Sequence, residues 1–197
     1  MADDLGRSFV SFFAIIDPIG NVIVFYLLTQ QLLPQRRLLV AAISVAMAAA
    51  LLVVFALAGQ QVLDLLSISE ESFKVAAGLL LLFPAYRLVE HGQPMEAAGA
   101  DEVDPIQIAL VPLATPLMAG PGALATAISF SETLGRGTTL GGLGLVLAVS
   151  FAMFALAAQV LRWLGQSVMR LLARLVGIVL FAIAVNLILE GLNAYFD

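Results

Sequence analysis

The chain contains no cysteine, a single histidine and a single tryptophan among its 197 residues. Without thiols there is no disulfide framework and no thiolate nucleophile, and the Cys/His spacings of structural zinc cannot be assembled. Charge is scarce as well. Only 12% of residues are charged, the net charge is -5, and no run of Lys and Arg occurs. A nucleic-acid partner is therefore not expected, because it requires a basic patch facing the phosphates. The apolar runs carry no paired carboxylates, no Ser/His set and no metal-ligand cluster, and His91 lies outside them. Neither enzymatic activity nor a cofactor is expected.

What the chain has in excess is apolar surface. Its hydrophobic share is 61% and its mean hydropathy +1.04, whereas soluble domains sit near ~45–50% apolar. The lipid bilayer is the first partner this implies. About 20 apolar residues are needed to cross the hydrocarbon, and six runs qualify, at about 8–29, 38–59, 73–90, 106–130, 139–161 and 172–192. The first begins after Asp3, Asp4 and Arg7 and has no basic region with a small-residue cleavage site, so it reads as a retained span. The stretch 93–105, with Glu96, Asp101, Glu102 and Asp104, reads as an acidic loop joining a half at 1–92 to a half at 106–197.

The two halves align. Gly20 falls on Gly122 at an offset of 102 residues, and Ala42-Ile43-Ser44-Val45-Ala46-Met47 on Ala148-Val149-Ser150-Phe151-Ala152-Met153 at 106. At an offset of 99, Gly78 pairs with Gly177, Leu81 with Leu180, Ala85 with Ala184, Leu88 with Leu187 and Gly92 with Gly191. Three matches in order point to an internal repeat. Three spans per half would make the second copy inverted. Charge agrees: Arg36, Arg37, Arg87, Arg162, Arg170 and Arg174 fall on one side of the six-span topology, and only Arg7, Lys74 and Arg136 on the other. The positive-inside rule then puts both termini outside. The expected fold is all-α and polytopic, with six transmembrane helices in two inverted three-helix repeats.

Helix breakers interrupt the first and fourth spans near their centres, at Asp17-Pro18-Ile19-Gly20-Asn21 and Ala119-Gly120-Pro121-Gly122. Lipid cannot satisfy the backbone groups a break exposes, so such breaks survive only against protein or a wet cavity. A matched pair in two halves is a pointer to a transporter's substrate site. Asp17 before Pro18 reads as the cap of a new half-helix, with Asn21 as the alternative cap. Gly120 before Pro121 repeats the pattern, and Thr115-Pro116 offers an earlier start.

Half-helix N-termini present N–H groups to an anion, glycine admits a ligand to the backbone, and Asp17 with released carbonyls suits an ammonium. A small zwitterion of amino-acid size fits this set. Substrate-binding candidates are therefore Asp17, Gly20, Asn21, Thr115, Gly120 and Gly122, with Asp17 also the candidate for coupling to H+ or Na+. The bland alternatives are that Asp17 only caps its own helix and that the Gly and Pro residues only kink or pack helices. Ser44 and Ser150 are read as bonding back to the preceding turn, Asn186 as a candidate cavity residue, Arg87 as snorkelling, Glu190 and His91 as interfacial, and Trp163 as a belt residue.

Four stretches carry a resemblance to a known family: Phe13-Ala14-Ile15-Ile16-Asp17-Pro18-Ile19-Gly20-Asn21, Ser72-Phe73-Lys74-Val75-Ala76-Ala77-Gly78, Pro112-Leu113-Ala114-Thr115-Pro116-Leu117-Met118-Ala119-Gly120-Pro121-Gly122-Ala123 and Arg174-Leu175-Val176-Gly177-Ile178. The chain resembles the MarC family of integral membrane proteins over nearly its whole length. The resemblance implies a six-helix inner-membrane protein, some of whose relatives transport small neutral amino acids. Asp17 resembles that branch. Ala77 departs from an expected Gly, and Pro84 adds a breaker to the third span. The functional expectation is a secondary transporter of small neutral amino acids working by alternating access. A channel or passive facilitator and a non-transporting membrane protein are the alternatives, and a homo-oligomer is compatible with all three.

Overall fold

Pro18, Pro34, Pro105 and Pro121 each stand at the first position of a helix, where a missing N–H costs nothing and φ is already set. In the computed structural model, which describes residues 2–30, 32–67, 69–91, 104–161 and 166–196, all regular structure is helical. Helices α1 (Ala2–Ile16) and α2 (Pro18–Thr29) meet at Asp17, followed by α3 (Pro34–Leu66) and α4 (Glu70–His91). The second half starts with a single turn, α5 (Pro105–Ile108), and an irregular wide-turned segment, Ala109–Met118. Then come α6 (Pro121–Phe130), a wide turn Ser131–Gly135, α7 (Arg136–Leu161) and α8 (Gln166–Phe196). Most of the stretch 93–105, together with Arg162 and Trp163, lies outside the described residues.

Among the described residues, five helical runs are long and apolar enough to cross a membrane: Asp3–Thr29, Pro34–Val62, Glu71–Glu90, Pro121–Ala157 and Leu171–Tyr195. The shorter Pro105–Met118 is also apolar. The chain is an all-helical polytopic membrane protein of five to six spans. The difference from six separate runs arises in the second half. There, α6 connects to α7 through wide turns that end on Gly135, whose φ of 86 is a left-handed conformation that glycine adopts freely. Helix α3, at 33 residues, is ~50 Å long, more than the ~30 Å hydrocarbon requires. Its one irregularity is Ala58 (φ −143, ψ 17), and the Arg136 guanidinium donates to the adjacent Leu57 carbonyl at 3.4 Å.

Helices α4 and α8 form the most extensive pairing, built on small residues. A Cβ at Gly78 would lie 2.7 Å from the Ala184 carbonyl and from Ile188, and one at Gly177 would lie 2.8–2.9 Å from Leu88 and Val89. A Cβ at Gly191 would press on Glu71 and Val75. Position numbers rise along one helix as they fall along the other, so the pair is antiparallel. Close backbone approach through Gly and Ala is how helices associate where lipid removes the hydrophobic drive. Helix α4 continues past residue 84, so Pro84 does not end it, and Ala77 is buried.

Around this pair, α1 and α2 pack on α7, while α3 packs on α6 and on Ala109–Met118. Phe25 stacks on Phe154 at 4.6 Å between α2 and α7, and Phe12 meets Phe130 edge-on at 5.9 Å between α1 and α6. Ser44 and Ser150 are fully buried, and their hydroxyls donate to the carbonyls of Val40 (2.7 Å) and Val146 (2.9 Å), one turn back. That satisfies each polar group without an interhelical partner.

Candidate functional site

Pro18 has no N–H, and its ring drives the preceding residue out of the helical region. Asp17 accordingly adopts φ 47, ψ 68, a left-handed conformation that Asp tolerates better than most residues. In an unbroken helix the Gly20 N–H would bond the Ile16 carbonyl. Here the two ends of that bond are parted, and each is taken by a side chain. The Asp17 carboxylate accepts from Gly20 N–H at 3.0 Å, and the Asn21 amide donates to the Ile16 carbonyl at 2.6 Å. The ladder resumes on either side, with Asp17 N–H bonded to Phe13 and Asn21 N–H to Asp17, both at 3.0 Å. Both capping residues are thus used, one for each orphaned group. Gly20 leaves room for the arrangement, since a Cβ there would collide with the Asp17 carboxylate.

The second break is wider. Val111 (φ −135, ψ 120) and Thr115 (φ −131, ψ 129) are both extended, as residues before proline prefer, and both precede cis peptide bonds. Sequence reasoning marked Thr115-Pro116 but missed Val111-Pro112, although Pro112 was the available signal. The Thr115 hydroxyl donates to the Leu110 carbonyl at 3.2 Å, and the Ala119 N–H reaches the Ala114 carbonyl at 2.8 Å. Gly120 (φ −78, ψ 169) then caps α6 with no side-chain bond. Its lack of a Cβ lets the Pro116 carbonyl approach, for a Cβ would sit 2.5 Å from that oxygen. The first-turn N–H groups of Gly122 and Ala123 have no partner within the helix.

Both breaks line one cavity of about 140 Å³. Asp17 and Asn21 stand on one wall, with Gly120, Gly122 and Ala123 on the other; Leu81 of α4 and Leu180 and Leu187 of α8 close it. Asn21 is buried and Asp17 exposed. The site is therefore lopsided, with an acid and an amide facing backbone and small side chains. Gly122 is also where the breaks touch, its nearest neighbour being Ile15 at 3.5 Å from an added Cβ.

Four of the six expected residues, Asp17, Asn21, Gly120 and Gly122, thus meet in one place. Gly20 lies beneath the Asp17 carboxylate instead of lining the cavity. Thr115 lines a neighbouring apolar groove of about 950 Å³ with Phe83 and Arg87, divided from the cavity by Pro116 and Pro121, which line both. Asn186 does not line the cavity. It is exposed on α8 and donates to Glu190 at 2.5 Å. Arg87 lies 4.8 Å over the Phe83 ring. Among the described residues no three His, Asp or Glu side chains cluster as metal ligands would.

The family model for the MarC family integral membrane proteins matches residues 3–196. The chain belongs to the MarC family. It is 37% identical to the UPF0056 membrane protein MJ1677 of Methanocaldococcus jannaschii, over 94% of each chain. It is 30% identical to UPF0056 membrane protein YvbG of Bacillus subtilis, over 95% of this chain and 93% of that one. UPF0056 inner membrane protein YhgN of Escherichia coli is 28% identical over 92% of each. No solved structure matches the chain. Two of the four stretches that carry the MarC resemblance are the break motifs, and those motifs supply most of the polar and backbone wall of the cavity. Its apolar wall was missed because Leu81 and Leu180 look like any other helix leucine. The available signal was their pairing at the offset that also pairs Gly78 with Gly177.

Proposed function

We propose that this MarC protein is a secondary transporter of small neutral amino acids, binding its substrate between the two breaks and working by alternating access. The observation that carries this reading is the single cavity lined by Asp17, Asn21, Gly120 and Gly122. The uncapped first turn of α6 offers N–H groups and a positive dipole end to a substrate carboxylate. Asp17, whose carboxylate has capacity beyond its bond to Gly20, takes the ammonium or the coupling H+ or Na+. The small volume and Leu81, Leu180 and Leu187 restrict the side chain to a few atoms.

The inverted repeat belongs to the same proposal. Gly78 faces Ile188 and Gly177 faces Val89, and an offset of 99 carries one contact into the other. The cavity itself is lined by pairs related by the repeat: Ile15 with Leu117, Asn21 with Ala123, and Leu81 with Leu180. The pairing of α1 and α2 with α7 is the counterpart of that of the broken fourth segment with α3. Rocking one half against the other would open the site to alternate sides. The Arg distribution orients both termini outward in an inner or plasma membrane, in keeping with the name of the E. coli relative.

The test is uptake of glycine, alanine and serine by liposomes carrying the purified protein under imposed pH or Na+ gradients. Saturable, gradient-dependent flux is the expected result. Flux without saturation or coupling would make the protein a channel or facilitator, and no flux of any small solute would overturn the transport reading.

A further inference from the structure

Asn186 sits about three residues from the midpoint of the apolar run Leu171–Tyr195, ~4–5 Å from the centre of that span at 1.5 Å per residue. The antiparallel pairing puts it level with Gly78, itself near the middle of Glu71–Glu90. Yet Asn186 is exposed, as are Val179, Ala182, Glu190 and Asn193, which share its helix face at spacings of four and seven. Residues Gly177 and Ala184, which press on α4, lie about half a turn away around the helix. Asn186 thus faces away from α4 near mid-span, where amides ordinarily face the protein interior.

We propose that this outward face of α8 is the interface of a homodimer, with Asn186 of two copies meeting across a two-fold axis along the membrane normal. The hydrogen-bond inventory of Asn186 fits a second copy. A primary amide has two N–H donors and a carbonyl acceptor, and one N–H of Asn186 already serves Glu190 at 2.5 Å. One donor and one acceptor remain. Across a two-fold axis these are mutually complementary, since each amide donates to the carbonyl of the other, as an isologous interface requires. Ala182, one turn away, offers only a methyl and so permits the helices to approach. A polar residue at the middle of a helix seam also fixes register.

The chain has no native cysteine, so single-cysteine variants report contacts without background. Val179→Cys, Ala182→Cys and Asn193→Cys are oxidised in native membranes beside Val10→Cys and Leu80→Cys, which are exposed on α1 and α4. The expected result is disulfide-linked dimer at several-fold higher yield for the α8 face than for the controls. Equal yields, or no dimer, overturn the proposal. Asn186→Leu adds an apolar group to an exposed position and leaves the monomer's packing intact. It should raise the dimer dissociation constant in detergent at least about threefold, with Asn186→Gln closer to wild type. An unchanged constant for Asn186→Leu also overturns it.

Discussion

The Asp17 carboxylate accepts the N–H of Gly20 at 3.0 Å, closing one side of a helix break whose other side is closed by Asn21. Capping and the proposed coupling are therefore separable at this residue. Asp17→Asn keeps a good cap but cannot titrate, whereas Asp17→Ala removes the cap at about 0.5–2 kcal/mol. Thermal unfolding should leave Asp17→Asn near wild type and lower Asp17→Ala, while liposome uptake by Asp17→Asn loses its dependence on the imposed gradient. An Asp17→Asn protein with full coupling would reduce the residue to a cap.

Removing the other half of the compensation should cost more. Asn21→Leu leaves the buried Ile16 carbonyl without the donor that now reaches it at 2.6 Å, and an unsatisfied buried group costs about 1–3 kcal/mol. Denaturant titration in micelles measures the loss. Stability equal to wild type would mean that another donor takes over the carbonyl.

The two motif glycines should respond differently to the same methyl. Gly20→Ala drives a Cβ into the Asp17 carboxylate and so dislodges the cap, whereas Gly122→Ala makes an ordinary contact with Ile15 at 3.5 Å. Gly20→Ala should therefore be destabilised by about 1 kcal/mol or more. Gly122→Ala should fold as wild type but take up alanine and serine less well than glycine, because the added methyl occupies a cavity of only about 140 Å³. Unchanged selectivity in the folded variant would place the substrate elsewhere.

At the α4–α8 interface, Gly78→Val and Gly177→Val each press a branched side chain against backbone less than 3.0 Å from the new Cβ. Overpacking of this kind costs about 1–3 kcal/mol, occasionally more. Under the proposed repeat the two contacts are counterparts, so their costs should be similar when measured by unfolding in the same detergent. A large cost at one and none at the other would argue against a shared architecture.

The breaks were legible before any coordinates because proline acts locally, removing a donor and constraining the residue before it. Asp17-Pro18 and Thr115-Pro116 could be marked on that ground, and Val111-Pro112 could have been. Gly78 and Gly177 were legible as a pair because close packing leaves only glycine at a crowded position. Asn186 was misread. Its residue type and depth suggested a cavity, but helix rotation, set by packing against α4, decides which way a side chain faces.

What the sequence determined alone is what short-range chemistry decides: membrane residence from apolar runs, helix starts from proline, a helix cap at Asp17, and MarC membership from motifs. What only the tertiary structure decided is which of these points meet. Asp17 and Gly122 are separated by about a hundred residues and share a cavity, while Thr115, only five residues before Gly120, turns to a different groove. That outcome depends on helix rotation and on the close approach of α4 and α8 through Gly78, Gly177 and Gly191. These are collective properties of packing, and no single stretch of the chain encodes them.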